Sequence, residues 1–304
     1  MAVQASEIKK LKTEQRNPAT MEIDLLPTLE MVKLINDQNR ILADVIDEQA
    51  EQIAAAVELI TERMSRGGRL IYFGAGTSGR LGVIDAAEIP PTYSMPPDRV
   101  VGVIAGGDGA LRGAVEHIED DPLVAAEQLK ALGLNQNDVV CGIAASGRTP
   151  YVIGGLDYAR SLGAGAISVA NNKQSEIGKH ADIAIEVETG PEAISGSTRM
   201  KAGTAQKLVL NLLSTCTMIQ QGKTYSNLMV DVKATNEKLV ARCLNTLREI
   251  FPTEETEKLK TALNEAGGSV KLAAVIVRTG LPAAEARAEL EKQGGHLRKV
   301  FGEA

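Results

Sequence analysis

The sequence predicts an α/β protein, a doubly wound, mostly parallel five-stranded sheet with a small all-helical C-terminal domain. Short, nearly all-apolar runs alternate with helix-periodic stretches between residues 69 and 221. These runs have strand length and are nearly all apolar, as expected of strands covered by helices on both sides. Beyond Tyr225 strand signals stop. Residues 236–304 are rich in Ala, Leu and Glu, with breaks near Pro252, Gly267-Gly268, Gly280-Leu281-Pro282 and Gly294-Gly295.

Residues 1–20 are polar, contain Pro18 and read as an extended arm. TLEMVKLINDQN (28–39) has apolar residues at helical spacing, with Thr28 placed to cap it. A longer helix is expected from about Ala43 to Met64, closed by Gly67-Gly68. RLIYF (69–73) is the first strand, followed by GAGTSGR and a helix that Pro90-Pro91 should stop. VVGVIAGG (100–107) is the second strand, and DDPLVAAEQLKALG (120–133) is a helix with Asp-Pro at its start and Gly at its end. DVVCGIAASG (138–147) is the third strand, TPYVIGGLDYARSLG (149–163) a helix, AGAISVAN (164–171) the fourth strand and ADIAIEVE (181–188) the fifth. A long helix should run from Thr198 to about Gln221. The expected division is 1–235, the sheet domain with its N-terminal helices, and 236–304, the helical domain.

Composition narrows the function. The 304 residues hold 33 Lys+Arg and 39 Asp+Glu, a net charge of -6 without basic blocks. That is a poor electrostatic match for nucleic acid or anionic lipid. Cys141, Cys216 and Cys243 are an odd, widely spaced set, which argues against a disulfide framework or a CxxC metal site. His117, His180 and His296 are too scattered for a sequence-local zinc motif. Neither metal nor cofactor is expected. With no Trp and 3% aromatic residues, stacking platforms are not expected either. The first residues, MAVQASEIKKLKTEQRN, contain no leader-like apolar stretch, and no apolar run reaches membrane-spanning length. With three free thiols, the expected setting is a reducing cytoplasm.

Three segments combine Gly with Ser or Thr just before a helix: GAGTSGR (74–80), ASGRTP (145–150) and GPEAISGSTRMKAGT (190–204). They leave the first, third and fifth strands, at the sheet edge where ligands of parallel sheets bind. Glycine lets backbone amides approach an anion, hydroxyls add donors, and the helix start adds a favourable field. Gly74, Gly76 and Gly79 match the dinucleotide spacing G-x-G-x-x-G, but the second strand ends in Ala-Gly-Gly instead of a ribose-holding acid. A Walker A lysine is also missing. A phosphate or phosphosugar is therefore the favoured ligand. Cys141, Tyr72 and Phe73 read as core residues inside strands.

These loops resemble those of the sugar isomerase (SIS) domain, a flavodoxin-like doubly wound fold that binds phosphosugars. The runs TEQRNPAT (13–20), RLIYFGAGTSGRLGVIDAAEIPPTY (69–93), GIAASGRTPYVIGGL (142–156), GPEAISGSTRMKAGTAQKLVLN (190–211) and NLMVDVKATNEKL (227–239) closely resemble the N-acetylmuramic acid 6-phosphate etherase family. VIVRTGLPAAEARAELEKQGGHLRKVF (275–301) looks like that family's helical, UBA-like tail.

The resemblance implies a cofactor-free lyase. It would release D-lactate from N-acetylmuramic acid 6-phosphate and leave N-acetylglucosamine 6-phosphate, in cell-wall amino-sugar recycling. It implies Glu88 as proton donor to the leaving lactate and Glu119 as the group that handles the C2 proton. Glu88 stands just before Pro90-Pro91, where a helix dipole opposes a carboxylate. Glu119 stands among Glu116, Asp120 and Asp121, and also reads as part of an acidic turn capping the helix at Pro122. For substrate binding the resemblance points to Thr77, Ser78, Ser146, Gly147, Thr149, Glu192, Ser197, Thr198 and Lys201, with Arg148 and Arg199 as further cations. Glu192 is also a candidate proton-transfer base, as in related isomerases. A homodimer is expected, with the helix at 43–66 and the N-terminal arm as candidates to cover the partner. The alternatives are a phosphosugar isomerase and a non-catalytic phosphosugar-sensing regulator.

Overall fold

The fold is described from a computed structural model. The structure describes residues 11–113, 115, 117–232 and 237–303. The expected boundary at 235/236 lies outside them, as does Glu116. The chain forms two compact units, residues 1–87 with 98–214 and residues 88–97 with 215–304.

In the first unit, α1 (Thr28–Gln38), α2 (Leu42–Asp47) and α3 (Ala50–Ser65) precede the sheet. Thr28 is the first residue of α1 and makes no cap; Pro27 holds the capping position. The expected 43–64 helix is two helices, broken at Glu48-Gln49. The break has a use: Gln49 Oε1 accepts the Glu186 amide of the sheet's last strand at 2.9 Å. A donor at an open sheet edge is thereby satisfied.

The sheet comprises β1 (Leu70–Gly74), β2 (Val100–Ile104), β3 (Val139–Ala144), β4 (Gly165–Ala170) and β5 (Ile183–Glu186). Its strands are parallel in the order β2-β1-β3-β4-β5. Strands β1, β3 and β4 are buried along their whole length, which explains their unbroken apolar sequence. One face packs Ile71, Phe73 and Val140 with Leu129 of α6 (Pro122–Ala131) and Leu156 of α7 (Pro150–Ser161). Cys141 is buried in β3, and burial pushes its thiol well above the ordinary range. It is a packing residue. Chain order reverses between β1 and β3, the switch point at which ligands of such sheets bind.

Helix α4 (Gly76–Tyr93) follows β1 and continues through Pro90 and Pro91. The expected stop is thus corrected. Proline removes the bond to the carbonyl four residues back and its ring crowds that carbonyl, but later amides can extend the ladder. Ile89 and Tyr93, one turn apart, are both buried, which holds the last turn in place. The first unit also holds the short α5 (Gly109–Arg112) and α8 (Glu176–Lys179). Its long C-terminal helix α9 (Lys201–Gln220) crosses the boundary between units at Ser214/Thr215.

In the second unit, β6 (Thr224–Tyr225) and β7 (Leu228–Met229) form a small hairpin, so strand structure extends slightly past Tyr225. Helices α10 (Glu237–Ile250), α11 (Thr256–Glu265), α12 (Val270–Thr279), α13 (Ala283–Lys292) and α14 (Leu297–Phe301) follow, with breaks at the expected Pro and Gly positions. Residues 270–277 of α12 are all buried, making it the unit's central helix. No described helix is long and apolar enough to cross a membrane.

Candidate functional site

The two switch-point loops are built differently. After β1 the chain turns at Gly76, with φ +53, directly into α4. Gly79 lets that helix lie against the strand end, since a Cβ there would fall 2.4 Å from the Gly74 carbonyl oxygen. After β3, Gly147 holds φ +72, and a Cβ on it would meet Ser175 Cβ at 2.5 Å. Only glycine fits that turn. Thr149 then occupies the N-cap position of α7 without using its side chain as a cap, and Pro150 begins the helix. The Thr149 hydroxyl is thus not consumed by the local helix start.

The N-terminal arm completes this region. Asn172 Nδ2 donates to Thr13 Oγ1 at 3.0 Å and to the Ala145 carbonyl at 3.1 Å. Asn17 Nδ2 donates to the Pro191 carbonyl at 3.3 Å, and Thr20 Oγ1 to that of Ala193 at 2.8 Å. Residues 13–20 therefore tie the second and third loops together on their own chain. The arm leaves Leu11 and Glu14 on the wall of a cavity of about 320 Å³ shared with Glu119, Asp120, Ser146, Arg148, Thr149 and Pro150. Nothing in the spacing around Glu14 marks it as a site residue. It reaches the cavity only because buried Thr13 anchors its neighbour.

A second cavity, of about 380 Å³, is lined by Gly76, Arg80, His117, Glu119 and Asp120 among others. Glu119 and Asp120 thus border both cavities. They sit on a single turn, Ile118–Asp120, preceded by His117 in the left-handed region at φ +67. Arg80 braces the adjoining segment by donating to the carbonyls of Leu111 and Gly113 at 3.3 and 3.0 Å. Asp121 is the cap of α6, accepting from the Leu123 amide at 2.9 Å. The acidic run therefore divides its work: Asp121 caps a helix, and Glu119 faces open space.

A SIS domain family model matches residues 115–215, and a glucokinase regulatory protein N-terminal SIS domain model matches residues 52–160. An N-acetylmuramic acid 6-phosphate etherase from Lactobacillus acidophilus is 52% identical over 295 residues, covering 97% of this chain and 99% of that protein. The chain belongs to the N-acetylmuramic acid 6-phosphate etherase family. The etherase of Mycolicibacterium smegmatis is 50% identical over 296 residues, covering 97% of this chain and 99% of that protein. Among solved structures, a phosphoheptose isomerase from Neisseria gonorrhoeae aligns with a TM-score of 0.48 at 20% identity, over 62% of this chain and 97% of that chain.

In this member of the etherase family, the residues singled out from sequence do not all occupy open space. Ser146, Thr149 and Arg148 share the first cavity with Glu119, and Gly147 shapes the turn behind them. Thr77 is half-buried at the start of α4. Ser78 is buried and donates to Gln206 Oε1 at 2.9 Å, and Gln206 donates in turn to Asn171 Oδ1 at 3.0 Å. It belongs to an internal polar chain.

In the third loop, Glu192 is only 1% exposed, and its two oxygens accept the amides of Lys201 and Ala202 at 3.0 and 2.8 Å. It caps α9, where a carboxylate satisfies amides that have no partner within the helix. Lys201 is 4% exposed and donates from Nζ to the Pro191 carbonyl at 2.9 Å. Burial pushes its ammonium below the usual lysine range, with Glu192 opposing. Ser197 and Thr198 are half-buried, and Arg199 is exposed. Glu88 is exposed on α4 and falls in the second compact unit, whereas Glu119 falls in the first.

Proposed function

We propose that this chain is a carbon–oxygen lyase that cleaves the D-lactyl ether of N-acetylmuramic acid 6-phosphate, in cell-wall amino-sugar recycling. The observation that carries this is the 52% identity, over 97% of the chain, to a curated etherase. The cavities support it: hydroxyls at a helix start suited to phosphate, a guanidinium suited to an anion, and a carboxylate at the rim.

In the open-chain sugar, the C2 proton lies next to the C1 aldehyde and is acidified. Glu119 takes that proton, the C3–O bond breaks, and Glu88 protonates the departing ether oxygen. The products of this step are D-lactate and an α,β-unsaturated aldehyde. Water then adds across the double bond, hydroxyl to C3 and proton to C2, giving N-acetylglucosamine 6-phosphate. Two carboxyl groups exchanging acid and base roles suffice for every proton moved. Ser146, Thr149 and the turn at Gly147 hold the phosphate, with Thr77 from the first loop. Ser78, Glu192 and Lys201 set the loops that surround it, while Ser197 and Thr198 continue the third loop.

We assign this chemistry to residues 1–235 and a supporting helical domain to 236–304. The setting is the cytoplasm, and the working form is a homodimer. Exposed Ile84 on α4 and exposed Leu208 and Leu212 on α9 supply apolar surface of the kind a second copy would cover. Light scattering on the purified protein tests the dimer.

Incubation with N-acetylmuramic acid 6-phosphate should release one equivalent of lactate. Conversion of aldose to ketose phosphate without lactate would identify an isomerase, and binding without turnover a sensor. Equal turnover of the non-phosphorylated sugar would overturn the phosphate role of the loops.

A further inference from the structure

We propose that the C-terminal unit carries an additional anion site, formed by Lys223, Lys271 and Arg287, that takes the phosphate group of a small molecule. Its basis is a charge imbalance under cover. Lys223 Nζ and Lys271 Nζ both lie 2.8 Å from the same oxygen, Asp231 Oδ2. One carboxylate cannot neutralise two ammonium groups, so one positive charge remains. The side chains of Lys223, Lys271 and Asp231 are only 20%, 7% and 17% exposed, so water screens this excess weakly. Burial pushes the Lys271 ammonium below its ordinary range, Asp231 opposes that, and neighbouring Lys223 adds to it.

The excess faces a space. A cavity of about 480 Å³ is bordered by Lys223, Asp231, Lys271, Arg287 and Glu291. Three cations there meet two carboxylates. Ser269, which caps α12 by accepting from the Leu272 amide, lies on the same wall, where the positive end of the helix dipole adds to the field. The lining also includes Gly294-Gly295, with φ +63 and +79. A Cβ on Gly295 would stand 3.8 Å from Lys271 Nζ, so this backbone passes close beside the ammonium. Gly222 packs against that segment, its own missing Cβ lying 3.0 Å from both the Gly295 carbonyl oxygen and His296 Nδ1. Two ammonium groups and a guanidinium lining one cavity fit a compact dianion. The volume leaves room for a sugar attached to it.

The test is hydrogen–deuterium exchange of the full chain with inorganic phosphate and, separately, with N-acetylglucosamine 6-phosphate. Phosphate should slow exchange in residues 270–279 and 290–296 of the wild type. Lys223→Met keeps the Lys271–Asp231 pair, so the fold stays intact, and it should weaken that protection at least tenfold in phosphate concentration. Lys223→Arg should retain most of it. Any protection that the probes give residues 145–153 should be the same in Lys223→Met as in the wild type, which separates this site from the proposed substrate loops. Protection by both probes identifies a phosphosugar as ligand; protection by phosphate alone identifies the free ion. No protection of the wild-type segments by either probe, or protection that Lys223→Met leaves unchanged, would overturn the proposal.

Discussion

Asn172 donates to Thr13 across 159 positions of sequence, at 3.0 Å, with both residues buried. The same amide reaches the carbonyls of Ala145 and Ser146 at 3.1 and 3.4 Å. One side chain thus holds the arm that presents Glu14 and the loop that presents Ser146.

Asn172→Ala should cost about 1–3 kcal/mol, since several buried partners lose their hydrogen bonds. It should also lower kcat/KM for the lactyl substrate at least tenfold, because both cavity walls loosen. Thermal unfolding and steady-state lactate release check this, and a fully active variant with wild-type Tm would rule out the anchor.

Glu88→Gln and Glu119→Gln should each reduce lactate release by about 10²–10⁴-fold, the usual contribution of a positioned proton-transfer group. Both side chains are exposed, so stability should change by less than about 0.5 kcal/mol. Substrate binding, followed by calorimetry, should persist. Wild-type turnover in either variant would remove that residue from the mechanism.

Glu192→Ala should act on the fold first. Two helix amides lose their acceptors in a buried place, a loss of about 1–3 kcal/mol by denaturant unfolding. A group whose main task was proton transfer would instead show full stability and a shifted pH–rate profile.

Asp85 gives a pH signature. Burial raises its carboxyl above the ordinary range, while hydrogen bonds from Asn211 and Ser214 oppose the shift. A raised folded value means that its contribution to stability is complete below the unfolded value, about 3.9, and is lost as pH rises through the folded one. Asp85→Asn cannot ionise, so its stability relative to wild type should improve from pH 4 to pH 7. Denaturant unfolding across that range checks it, and a constant difference would mean that Asp85 titrates as in the unfolded chain.

Periodicity and punctuation located the five strands, the helices after them and the breaks at Gly267-Gly268 and Gly294-Gly295, because each rests on local chemistry. Features set by distant partners were not legible. Gln49 interrupts a helix to reach Glu186 in another element. The helix through Pro90-Pro91 is held by buried Ile89 and Tyr93. Gly, Ser and Thr before a helix marked the loops after β1 and β3 as candidate anion sites. Which hydroxyl faces the cavity was not. Ser78 and Ser146 have similar neighbours, yet Gln206, 128 positions from Ser78, takes Ser78 inward. Lys201 likewise turns to the Pro191 carbonyl, a choice made by burial rather than by sequence pattern.

The anchoring of the arm also fixes an order of events during synthesis. Thr13, Asn17 and Thr20 leave the ribosome long before Asn172, Pro191 and Ala193 exist to receive them. At roughly 5–20 residues per second, the delay is on the order of ten seconds or more. Through that interval the growing chain has no complete first cavity, so substrate that it meets finds only part of a binding wall. The earliest-made described segment thus docks only after Asn172, Pro191 and Ala193 have emerged.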